Sequence, residues 1–152
     1  MRRGIGGAFA LLLYTTAAFA ADLVATRADG FEIARVAVPD GDGWCIHWNH
    51  SVKGFPVQDC YENRSGAMVL VRSHQPDFAA GLGHFLGRGR QTSDGNGGYW
   101  IEDIDETVAG NAYILRPGGP AVDHRIVTSK KSISLSAAAA RDRVRIELET
   151  GE

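Results

Sequence analysis

Apolar and polar positions alternate strictly through the middle of the chain. Over residues 44–51 the pattern puts Trp44, Ile46, Trp48 and His50 on one face of a strand, and Cys45, His47, Asn49 and Ser51 on the other. Lys53-Gly54-Phe55-Pro56 interrupts the pattern, which resumes with Val57, Asp59 and Tyr61 set against Gln58, Cys60 and Glu62. Two such runs separated by Gly and Pro predict a β-hairpin whose loop is wider than two residues. Symmetry about Val52-Lys53 would set Trp44 against Tyr61, Trp48 against Val57, His50 against Phe55 and Cys45 against Cys60. Opposed residues of an antiparallel pair lie within reach of a disulfide. One face of the hairpin is then apolar, with His50 and Asp59 as its polar exceptions.

Shorter β-rich segments flank the hairpin. Residues 23–26 and 31–38 are separated by the turn signal Ala28-Asp29-Gly30, and 67–71 form a continuous apolar run. Further candidates lie at 112–116, 124–128 and 133–135, with Arg116-Pro-Gly-Gly-Pro120 as a rigid turn between the first two. Ser136 is placed to cap a brief helix through four alanines. Residues 144–149 then alternate as a terminal strand. Between Asp77 and Gly98 the dense glycines read as a long loop rather than a phosphate-binding motif. No internal repeat or interdomain linker is visible. The expectation is an all-β fold, one small sandwich or barrel of about eight to ten short, mostly antiparallel strands.

The chain starts differently. Arg2-Arg3 precede an apolar run that ends in Ala18-Phe19-Ala20, an Ala-x-Ala cleavage pattern. Residues 1–20 are therefore expected to be a signal peptide cleaved after Ala20, and residues 21–152 a single β-rich domain in the periplasm, with no membrane span. Export favours a bridged Cys45–Cys60 pair, since both cysteines of the chain lie in the hairpin. The formal net charge of −2, more negative still without Arg2 and Arg3, disfavours a nucleic-acid partner.

Candidate chemistry is thin. His50 and Ser51 are neighbours on a strand and diverge, so they form no dyad, and no Gly-x-Ser-x-Gly elbow is present. His47 and His50 diverge likewise and would share a zinc only if the chain turned between them. Asp94, Asn96, Glu102 and Asp105 imitate a calcium loop. Tyr99 stands where that loop needs glycine, and a turn at Asn96-Gly97 accounts for the same residues. No metal or other cofactor is called for. Trp48, His50, Ser51, Asp59, Tyr61 and Arg88 remain as candidate contacts for a ligand or partner, and no residue as a candidate catalyst.

Trp48-Asn49-His50-Ser51-Val52, followed by Pro56-Val57, Asp59 and Tyr61, resembles a bacterial family of uncharacterised small exported domains. The resemblance continues through Phe78-Ala79-Ala80-Gly81-Leu82-Gly83, Leu115-Arg116-Pro117-Gly118-Gly119 and His124-Arg125-Ile126. It covers roughly residues 31–127 and leaves 132–152 as a tail expected to be variable or frayed. Genes of that family commonly lie beside TRAP transporters of the TAXI type. The resemblance implies a periplasmic accessory or binding module whose partner is the transporter permease or its solute-binding protein. A small exported hydrolase is the competing reading.

Overall fold

The computed structural model describes residues 21–75 and 86–151, so the expected signal peptide and the Phe78–Gly83 motif lie outside the described residues. The chain runs through β1 (Ala21–Arg27), β2 (Glu32–Ala37), β3 (Gly43–Asn49), β4 (Pro56–Arg64) and β5 (Ala67–Gln75). It continues through β6 (Arg90–Ser93), β7 (Tyr99–Glu102), β8 (Glu106–Thr107), β9 (Ala112–Leu115), β10 (Arg125–Val127) and β11 (Ser132–Ser134). A one-and-a-half-turn helix, α1 (Leu135–Ala139), precedes the last strand, β12 (Val144–Thr150).

Among the described residues these strands build two antiparallel sheets and no closed barrel. The smaller has the order β2-β1-β12-β9; the larger has β11-β10-β3-β4-β5-β7-β6, with β8 pairing on β5. The fold is an all-β sandwich. Its inner faces read directly from period-two patterns. Leu23, Ala25, Val144, Ile146 and Leu148 of the small sheet meet Trp44, Ile46, Met68 and Ile126 of the large one, and Leu135 and Ala139 of α1 close one side. Burying each large apolar side chain there contributes about 1.5–3 kcal/mol. A second cluster of Leu70, Tyr99, Ile101 and Ile104 lies under the β5–β7 side.

The hairpin follows the expected register. Trp44 pairs with Tyr61, Trp48 with Val57 and Cys45 with Cys60, and the His50 N–H donates to the Phe55 carbonyl at 2.7 Å. Cys45 and Cys60 are joined by a disulfide across a Cα separation of 4.0 Å.

Among the described residues there are twelve strands where eight to ten were expected, because short ones form inside presumed connections. β6 lies within the glycine-rich segment, and β8 has only two residues. The helix cap also falls two residues earlier than expected. Ser134 accepts from the Ala137 N–H, whereas Ser136 is buried and its Oγ accepts from the His124 N–H. Leu135 accordingly belongs to α1 rather than to a strand. The presumed frayed tail is a central strand: β12 pairs with β1 on one side and β9 on the other, and Val144 and Ile146 are fully buried.

Candidate functional site

One irregularity decides which side chains reach which face of the large sheet. β4 and β5 pair as Tyr61 with Leu70 and then Cys60 with Arg72, so Val71 is an extra residue on β5. Such a bulge reverses the alternation of the strand beyond it. Met68 and Leu70 face inward, as does Tyr61. Past the bulge Ser73 and Gln75 take the inner face, and Arg72 and His74 go to the outer one.

The inner face beyond the main core carries three of the candidate contact residues. Asp59 accepts from the Ser73 hydroxyl at 2.5 Å, and that hydroxyl accepts from the Gln75 amide at 2.8 Å. Burial pushes the Asp59 carboxyl above its ordinary value, against the opposing pull of the Ser73 hydrogen bond. Tyr61 stacks between Trp44 and Tyr113, with ring centroids 5.6 and 5.5 Å away, which ties the two sheets together. Burial, and next the Asp59 charge, push the Tyr61 hydroxyl up to about 12. Arg88 grips Glu106 bidentately at 2.7 and 3.2 Å. The three residues share one electrostatic neighbourhood, but each polar group is engaged with a neighbour of its own: Asp59 with Ser73, Tyr61 with Tyr113 and Arg88 with Glu106. The arrangement holds a polar seam inside the sandwich.

The remaining candidates lie elsewhere. Trp48 stacks flat on His124, at 5.6 Å and 4°. The His50 Nδ1 accepts from the Val52 and Lys53 N–H groups at 3.3 and 3.4 Å, so this ring organises the hairpin turn and does not converge with Asp59. Ser51 is exposed in the same turn.

The outer face of the large sheet was largely missed by sequence reasoning. Cross-strand register lines up Arg125, His47, Gln58, His74, Trp100 and Thr92 as one row across six strands. The adjacent row holds Val127, the Cys45–Cys60 disulfide and Arg72. Burial, followed by the Arg125 charge, holds the His47 imidazole below its ordinary value.

His74 is buried, with Nδ1 3.1 Å from the Pro56 carbonyl and Nε2 2.7 Å from the Asp94 carboxylate. Asp94 also accepts from the Asn96 and Gly98 N–H groups at 2.7 and 3.0 Å, and these donors with His74 hold its carboxyl below the usual range. This is the turn that residues 94–98 were expected to form before a strand. A side chain at Gly98 would run into the Asp94 carboxylate and the Gln75 carbonyl. Phe55, Pro56, Asn96 and Trp100 complete a cavity of about 340 Å³ beside this clamp. A second cavity, about 420 Å³, opens over the disulfide between Arg72 and the Thr128-Ser129 wall. The signal for this face was present in the polar set of the alternation, but its meaning depended on the bulge.

Among the described residues no serine hydroxyl hydrogen-bonds a histidine ring, no group of three or more His, Cys, Asp or Glu side chains is placed to hold a metal, and no helix is long and apolar enough to cross a membrane. What the fold and its faces define is a disulfide-bridged β-sandwich with a polar, aromatic and cationic outer sheet. The chain belongs to the family described as a domain of unknown function, DUF1850, whose model matches residues 45–135. That match spans all of β4–β11 and most of β3, hence nearly all of the large sheet together with β9 of the small one, and stops short of β1, β2 and β12. No curated protein and no solved structure matches the chain.

Proposed function

We propose that the protein is an exported accessory module that binds a ligand or partner through the outer face of its large sheet. It works in the periplasm beside a TRAP transporter of the TAXI type, in contact with the permease or its solute-binding protein. The observation that carries the binding reading is the outer face itself. A six-strand row of hydrogen-bonding and aromatic side chains, with two cavities beside it, stands on the side away from the small sheet. Sites of this kind combine apolar and aromatic walls with a few placed polar groups. The family match supports the same assignment, because the matched segment contains nearly all of the large sheet and only β9 of the small one. The disulfide fits an oxidising compartment. The transporter partner rests on the resemblance of Trp48-to-Val52, Pro56-Val57 and the later motifs.

The test is genetic. Deleting the gene in a strain that depends on the transporter should reduce uptake of its solute. The wild-type chain should restore uptake, and a chain with Gln58 and Trp100 both replaced by alanine should not. Unchanged uptake in the deletion strain would remove the transporter from the account.

A further inference from the structure

We propose that the outer face holds a small amphipathic carboxylate, with its acid group on Arg72 and its apolar body over the Cys45–Cys60 disulfide. This deepens the binding reading above and rests on it. Arg27, Arg35, Arg64, Arg88 and Arg145 all find carboxylate partners. Arg72 does not: among the described residues its recorded partner is the Trp100 ring, with the guanidinium carbon 4.7 Å from the centroid. Arg116, Arg141 and Arg143 also lack a carboxylate partner among the described residues; what sets Arg72 apart is its place between an aromatic ring and the cavity over the disulfide.

The Val71 bulge creates this placement. On an unbroken strand Arg72 would share the inner face with Met68 and Leu70; the extra residue re-aims it outward. Trp100 then serves as a platform. A guanidinium held over a ring by cation–π attraction keeps N–H groups for a further partner, and its fork matches a carboxylate bidentately. Holding the side chain on the ring also reduces the rotamer entropy lost on binding.

The adjoining cavity of about 420 Å³ suits the rest of such a ligand. Its floor is the disulfide with Val71 and Val127, and its far wall is Thr128-Ser129. That turn continues into Lys130 and Lys131, which add positive potential and, among the described residues, have no carboxylate partner. The nearest acid in the lining, Glu62, is held by Arg64 at 2.7 Å. One guanidinium fork beside an apolar floor favours a singly charged acid with a hydrocarbon body over a multiply charged tetrahedral anion, which needs several converging donors.

The experiment titrates the purified protein at constant ionic strength with hexanoate, hexanamide and inorganic phosphate, following the Trp100 indole N–H by NMR. Hexanoate should shift that resonance saturably, with hexanamide and phosphate each at least tenfold weaker. Arg72→Gln should weaken hexanoate at least tenfold, Arg72→Lys should recover only part of the loss, and Arg145→Gln, on the outside of the small sheet, should bind like wild type. Thermal melts of each variant establish that it is folded. Equal binding of hexanoate and hexanamide, tighter binding of phosphate, an indifferent Arg72→Gln, or no binding of hexanoate would each overturn the inference. The broader reading fails separately: it falls only if the outer face also contacts no transporter component in cells.

Discussion

At the scale of single residues, half-buried Asp59 and buried His74 show how the two faces of one sheet treat polar groups differently. Asp59 faces inward with hydroxyl and amide neighbours, and burial raises its carboxyl. A carboxyl whose folded value is raised contributes stability that is full below the ordinary carboxylate range and is lost as pH rises through the folded value. Asp59→Asn should therefore be more stable than wild type in urea at pH 7.5, with the difference closing by pH 4. A variant less stable than wild type at pH 7.5 would show that ionised Asp59 is needed. Asp94 has the opposite sign. Its lowered carboxyl stabilises the fold above the ordinary carboxylate range, and the contribution fades as pH falls through its folded value. His74→Ala should weaken the acid dependence assigned to Asp94 and increase hydrogen exchange at the Asn96 and Gly98 amides. Unchanged exchange there would contradict the clamp.

At the scale of elements, the hairpin is the part most open to sequence reading. Strict alternation fixes which residues share a face, and two cysteines at matching positions fix the register, so Trp44–Tyr61 and Cys45–Cys60 could be paired in advance. Reducing the disulfide, or replacing both cysteines by serine, should cost about 3 kcal/mol for a loop of this length, seen as a lower urea midpoint. An unchanged midpoint would mean that the strand pairing alone sets the stability. The β5 bulge was illegible for a physical reason. Residues 67–71 are all apolar, so no polar position marks where the alternation slips, and the faces of Arg72, Ser73 and His74 follow only from pairing with β4. β12 was legible as a strand from its alternation, but its central place was not, because the segment lies beyond the resemblance and nothing local shows that both its edges are paired. Its charged alternate residues line the outside of the small sheet, while Ile146 fills its core. Ile146→Ala should cost about 2–5 kcal/mol, and a chain ending before Val144 should not fold. A cooperative melt of the truncated chain would contradict the central place of β12.

At the scale of the whole molecule, the two sheets divide the work. The small one covers the core, and β1, β2 and β12 lie outside the family match. The large one is matched nearly in full and carries the cavities over the disulfide and beside His74. The candidate contacts Asp59, Tyr61 and Arg88 lie toward its inner side, where Ser73, the Trp44 and Tyr113 rings, and Glu106 hold them, and the outward row is the side proposed for recognition. Site-specific photo-crosslinking in living cells tests this directly. A crosslinker at Gln58 on the outer row should capture the permease or the solute-binding protein, identified by mass spectrometry, and one at Arg145 on the outside of the small sheet should capture neither. Capture of the same component from Arg145 but not from Gln58 would contradict the account.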